Sequence, residues 1–150
     1  MFYEINRKFS SIGEKLCCKI FEEYLQRKVV LHLRPNFLKN PLTKRNLELD
    51  IYDPITKIAI EYNGAQHYKH VPTMENDLNY QKYRDDLKVS LCVKEGVSLI
   101  VVKYTVDTTR YDKNGVLKNA RLSEEEREYK LRKYIEPELD KIFEKLKIKK

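Results

Sequence analysis

The chain has no tryptophan, four glycines and three cysteines, and the placing of the cysteines excludes the most. Cys17 and Cys18 are adjacent and Cys92 stands alone, so there is no CxxC pair and no zinc knuckle. The thiols read as reduced, mostly buried small apolar groups of an intracellular protein. No apolar run approaches the ~20 residues of a membrane helix. The opening residues, MFYEINRKFSS, lack the apolar core of a secretory signal. The expected location is intracellular (cytoplasm, nucleus or a virus factory), not secreted and without a membrane partner.

What the chain has is charge. Charged residues make up 35% of its 150 positions, with a net charge of +7 and a pI near 9.2. A polyanion is the expected partner: nucleic acid first, a membrane surface second. The signs are mixed, so any single lysine reads as part of a solvated face. The length suits one domain with a real core, and there is no repeat or second domain.

The pattern along the chain predicts helix, three strands, helix, strand, helix. Ser10 or Ser11 caps a first helix to about Arg27, with Ile12, Leu16, Ile20, Tyr24 and Leu25 at helical spacing. Residues 29–33 read as a strand. Residues 34–46 hold two prolines and Arg34, Lys39, Lys44 and Arg45, and form a basic loop. A second helix is expected over about 75–95, with Leu78, Leu87, Leu91 and Cys92 inward and Gly96 ending it. Residues 97–104 (VSLIVVKY) are apolar enough for a strand covered on both faces. Residues 105–121 read as a loop with a turn at Asn114-Gly115. Ser123 and Glu126 form a capping box that opens a last helix, which Pro137 would kink or split. The fold class is α/β: a mixed sheet flanked by helices, with the strands around the second helix joined by a parallel crossover.

Residues 47–68, LELDIYDPITKIAIEYNGAQHY, carry the chemistry. Leu47, Leu49 and Ile51 alternate, Asp53-Pro54 is turn chemistry, and Ile58 and Ile60 lead into Glu61. The segment reads as a hairpin that brings Asp50 and Glu61 together across the ladder. A pair of carboxylates on a sheet edge of a basic protein suits Mg²⁺ or Mn²⁺ held against a phosphate, where the ion activates water and offsets negative charge. The Tyr62 carbonyl is a candidate third ligand. Asn63 shares the face of Glu61 by strand period. Gln66 and His67 follow the turn at Gly64, and His67 has the pKa range of a general base; a hydrogen-bonded loop histidine is an equal reading. His32 and His70 read as structural or surface residues. A zinc site from His67, His70 and a cysteine lacks ligand spacing. By its own residues Glu14 reads as an exposed helix charge, beside Glu22 and Glu23.

Taken together these pieces resemble the PD-(D/E)XK, or restriction-endonuclease-like, nuclease superfamily, in its very-short-patch-repair-like branch. They are Ser11 to Glu14 in SIGE, Leu49-Asp50, Ile60 to Gly64, Gln66-His67-Tyr68, Gln81, Asp85 and Lys88 in QKYRDDLK, then Gly96 and Leu99 to Lys103. The match spans about residues 10–104, the core of a single nuclease domain, with a C-terminal helical extension over about 122–147. The resemblance implies a restriction-endonuclease-like core, a metal-dependent endonuclease acting on DNA, Asp50 and Glu61 as ligands of Mg²⁺ or Mn²⁺, and a supporting role for Glu14. The superfamily lysine two residues after the second acid is here Asn63, and Gln66, His67 or Lys88 are its candidate substitutes.

Three functions remain at this stage: a deoxyribonuclease, a ribonuclease on the same fold, and an inactive nuclease fold that binds nucleic acid. The paired acids oppose the last, because carboxylates repel a phosphate unless a metal intervenes. Arg34, Lys44, Arg45, Lys88 and the tail lysines are the phosphate-contact candidates. A homodimer is required if one site per chain is to cut both strands together.

Overall fold

A computed structural model describes residues 7–64, 78–108, 110–111, 114–115, 117–118 and 121–149. Ser11 opens helix α1 (Ile12–Leu25): its backbone is extended, and its hydroxyl accepts the Glu14 amide. That satisfies one of the amides a helix start leaves without a partner. Leu16 and Ile20 are buried as the helical spacing predicts, together with Cys17 and Phe21; Tyr24 and Leu25 are half-buried, and Ile12, expected inward, is exposed at the first turn. The helix stops at Gln26, whose φ of 59° is left-handed, earlier than the expected Arg27.

Strands β1 (Val30–Leu33), β2 (Leu49–Asp53), β3 (Ile58–Asn63) and β4 (Ser98–Lys103) form one sheet in the order β1-β2-β3-β4. The first two pairings are antiparallel and β3–β4 is parallel. Helix α2 (Leu78–Glu95) lies in the crossover between β3 and β4. Gly96 ends it with φ of 79°, and the Val97 amide donates back to the Cys92 carbonyl at 2.8 Å. The chain is therefore α/β with a mixed sheet, as expected. The β2–β3 turn also matches expectation: Asp53 is buried and accepts the amides of Ile55 and Thr56, with Arg27 as its counter-ion.

β3 is central, and all six of its residues are buried, so the sheet must be covered on both faces. One face packs Ile51, Ile58, Ile60, Tyr62, Ile100 and Val102 against α1 and the C-terminal helix α4 (Glu124–Leu146). The other packs Leu49, Tyr52, Ala59 and Val97 against Cys92 of α2 and Leu38 of a short 3₁₀ turn, Asn36–Leu38. Each large side chain so buried contributes about 1.5–3 kcal/mol. Within α2, Cys92 is buried as expected, whereas Leu87 and Leu91 are half-buried.

Two expectations need correction. Residues 105–121 are not simply a loop. Thr105–Thr108 form a helical turn, α3, and Arg110–Tyr111 (β5) pairs with Leu117–Lys118 (β6) across the turn at Gly115, where φ is 78°. Pro137 does not split α4, which runs unbroken from its Ser123–Glu126 capping box. Leu131, Ile135, Leu139 and Phe143 form one buried stripe. Their burial offsets the roughly 3 kcal/mol that an interior proline costs a helix.

Candidate active site

The two acids meet where the sheet comes apart. The β2–β3 register pairs Ile51 with Ile60, so the next row sets Asp50 opposite Glu61. In that row each carboxylate accepts a backbone amide of the facing strand. The Asp50 amide donates to Glu61 Oε1 at 3.0 Å, and the Tyr62 amide donates to Asp50 Oδ2 at 3.3 Å.

The same row disturbs β1. Leu31 lies opposite Ile51 and Leu33 opposite Leu49, which sets His32 opposite Asp50. Leu31 and Ile51 pack on the α1 face, yet Leu33 and Leu49 pack on the α2 face. Residues two apart in a regular strand share a face. The alternation therefore slips at His32 and Asp50 together, and the left-handed backbone of His32, φ of 51°, absorbs it. The expectation that Leu47, Leu49 and Ile51 share one face is corrected accordingly.

This slip opens the row to both layers. From α1, Glu14 is 3% exposed, and its Oε1 lies 3.1 Å from His32 Nε2 and accepts the Ser10 amide at 3.2 Å. Burial raises its carboxyl above the usual range, and the nearby Asp50 charge adds to this. Glu14 is thus no exposed helix charge. From α2, Lys88 Nζ lies 3.1 Å from Glu61 Oε2. Glu61 is 4% exposed, and burial pushes its carboxyl well up, with Asp50 adding to the rise and Lys88 opposing it. His32 Nδ1 lies 2.7 Å from Glu48 Oε1, and Nε2 also faces the Lys8 carbonyl at 3.1 Å. Burial would lower the imidazole pKa, but the carboxylates of Glu48 and Glu14 outweigh it and raise it. One donor atom each from Glu14, His32 and Asp50 lie within 4.8 Å of one another.

Beneath the acids, the Tyr62 hydroxyl donates to Asp107 Oδ1 at 2.7 Å, and Arg127 Nε donates to Asp107 Oδ2 at 2.8 Å. Asp107 is fully buried, so this chain ties β3 to α3 and α4 in the core. The Tyr62 ring lies flat against Gly13, where a Cβ would stand 2.1 Å from Cζ. Gly13 is therefore what lets α1 approach β3 and deliver Glu14 one residue later.

The structure brings together Glu14, Asp50, Glu61 and Lys88. Asn63 lies on β3, 8% exposed, on the strand parity of Glu61. Tyr62 contributes its amide to Asp50. Gln66, His67 and His70 lie outside the described residues. The ammonium of Lys88, a phosphate-contact candidate, rests on Glu61. Arg34 is exposed but tied to Glu48 at 3.1 Å and to the Asn46 carbonyl at 3.0 Å. Lys39, Lys44 and Arg45 are exposed on the basic loop, which is closed by an Asn40–Arg45 backbone bond of 2.8 Å. Sequence reasoning missed His32 and Glu48. By sequence His32 reads as structural or surface, and no sequence signal marks a left-handed backbone at a histidine within a strand.

No known family model matches the chain, and no solved structure matches it significantly. Curated viral proteins do. Uncharacterized protein 307L of Invertebrate iridescent virus 6 is 40% identical over 113 residues, covering 64% of this chain and 57% of the relative. Uncharacterized protein 033L of Invertebrate iridescent virus 3 is 42% identical over 93 residues, covering 59% and 47%. Uncharacterized protein 094L of Frog virus 3 is 45% identical over 78 residues, covering 49% and 50%. The chain thus spans about half the length of the curated relatives it matches. Among the described residues, no helix is long and apolar enough to cross a membrane.

Proposed function

We propose that this chain is a metal-dependent endonuclease of the PD-(D/E)XK superfamily, acting on DNA in preference to RNA. The observation that carries this reading is the row of β2 and β3 where Asp50 and Glu61 each accept an amide of the facing strand and meet Glu14 and Lys88. Two carboxylates on one row with a lysine reaching them from α2 cost stability, because burying each charge is unfavourable, and a ligand is a reason to retain them.

The donor set suits Mg²⁺ or Mn²⁺: hard oxygens from Asp50 and Glu61, with Glu14 in support. The bound ion would supply positive charge to the phosphoryl group and acidify a water. Asp50, held by the Tyr62 amide, and Glu61, held by the Asp50 amide, keep their oxygens fixed before substrate arrives. That avoids a reorganisation cost at the reaction step. Lys88 takes the place of the lysine that Asn63 cannot supply. It reaches the acids from α2 instead of from β3, and offers positive charge and a donor to the attacked phosphate. Exposed Lys39, Lys44 and Arg45 would hold the flanking backbone.

The test is single-turnover cleavage of labelled duplex, nicked, branched and single-stranded DNA, and of RNA, with Mg²⁺, Mn²⁺ or EDTA. Metal-dependent DNA cleavage that Asp50→Asn abolishes supports the reading. Binding without cleavage on every substrate would make the chain a nucleic-acid-binding module, and cleavage of RNA alone a ribonuclease.

A further inference from the structure

We propose that His32 completes a mixed nitrogen–oxygen cation site with Glu14 and Asp50, and that this site selects a manganese-class transition ion over magnesium. The inference rests on the nuclease reading only in sharing Asp50 and Glu14 with it. Three observations converge.

Glu14, His32 and Asp50 come from three different elements, α1, β1 and β2, yet present donor atoms within 4.8 Å of one another. That is close to the span of opposite ligands around one ion with bonds of about 2.1–2.3 Å. The imidazole is also oriented as a metal ligand requires. Nδ1 faces Glu48 Oε1 at 2.7 Å, which fixes the ring and leaves Nε2 aimed at the cluster. A carboxylate behind the distal ring nitrogen is the usual outer support of a metal-bound histidine. Among the described residues, Nε2 faces two acceptors, Glu14 Oε1 and the Lys8 carbonyl, both at 3.1 Å. That pocket wants a cation on the ring side of the carboxylates, either a proton on Nε2 or an ion between them.

The choice of ion follows from ligand chemistry. Mg²⁺ prefers an all-oxygen shell and sheds water reluctantly. An imidazole nitrogen adds affinity for first-row transition ions. Glu61 is engaged by the cation Lys88 and by the Asp50 amide, whereas Asp50, half-buried, takes one amide, from Tyr62, on the side that faces His32 and Glu14.

The test is binding, read without substrate. Mn²⁺ is titrated into the protein, and electron spin-echo modulation of the bound ion reports whether nitrogen is coordinated. Competition with Mg²⁺ gives the selectivity. His32→Asn is the variant of choice, because asparagine tolerates the left-handed backbone and lacks a ring nitrogen. Circular dichroism and the metal-free Tm check its fold. Wild type should show nitrogen modulation that His32→Asn lacks, and the preference for Mn²⁺ over Mg²⁺ should fall about tenfold or more in the variant. If Mn²⁺ binds in an Asp50-dependent way with no nitrogen modulation and with selectivity unchanged by His32→Asn, the His32 site is wrong while the nuclease reading stands. If neither ion binds wild type at millimolar concentration, both fail.

Discussion

Removing Lys88 separates a catalytic charge from a mere counter-ion. The perturbation is Lys88→Met, which keeps the stem of the side chain and deletes the ammonium. At 3.1 Å from Glu61 Oε2, and with an effective dielectric of about 20, the lost attraction is roughly 5 kcal/mol before desolvation is counted. Breaking a buried pair usually costs about 3–5 kcal/mol, because a bare charge is left behind. Glu61 has an escape: burial already pushes its carboxyl up, so without Lys88 it takes a proton. At pH 6 the stability loss should therefore be only about 1–2 kcal/mol. A carboxyl raised in the folded state binds protons more tightly there than in the unfolded chain. Stability then falls as pH rises through the window between the ordinary carboxylate value and the raised one. The Tm gap to wild type should widen from pH 6 to pH 9. Metal affinity above neutral pH should not fall, since a competing cation has gone. Single-turnover cleavage should nevertheless fall by about 10²–10³, the usual cost of one charge-stabilising group, while Asn63→Ala falls less. Wild-type cleavage by Lys88→Met would refute the role given to this lysine and leave it a structural partner of Glu61.

The elements were legible because their signals are local. Ser11, Gly96 and the Ser123–Glu126 box each act through a bond to a near neighbour, and all stand where the pattern set them. Asp50 opposite Glu61 was legible too, since a hairpin with a turn at Asp53 fixes the register. What escaped depends on contacts far apart in sequence. Asp107 reads as one acid in a polar stretch until Tyr62 and Arg127 surround it. His32 belongs to the site because its backbone turns left-handed, and period-two reasoning assumes that no residue does so within a strand. Lys88 could be named as a substitute cation only through the resemblance. That α2 aims it at Glu61 is a tertiary fact.

Asp50→Ala and Glu61→Ala should each abolish metal-dependent cleavage yet retain most nucleic-acid binding. Glu14→Gln should weaken Mn²⁺ binding measurably in calorimetry, and unchanged binding would return Glu14 to a structural role. Affinity for DNA should fall linearly in a log–log plot against salt, because exposed Lys39, Lys44 and Arg45 displace counterions; a short sequence preference surviving high salt would contradict this. Asp53→Ala should cost about 2–4 kcal/mol at pH 7 by leaving Arg27 and two amides without their acceptor. Burial alone would raise the Asp53 carboxyl, but hydrogen bonds from Thr56 and Arg27 outweigh it and hold it low. Its stabilisation is therefore full above the ordinary aspartate value and lost as pH falls through the lowered one, so the two denaturation curves should converge in acid. Finally, Gly13→Ala should be severe although it adds one methyl to a helix, where alanine is normally favoured by about 1 kcal/mol. The new Cβ would meet Tyr62 Cζ at 2.1 Å. The ring cannot swing away without breaking its bond to buried Asp107. Helix α1 must then lift from β3, at a cost of about 3 kcal/mol or more, and Glu14 lifts with it. Urea denaturation reads the first effect and Mn²⁺ titration the second. A Gly13→Ala protein with wild-type stability would show that the close approach of α1 to β3 is not what positions Glu14.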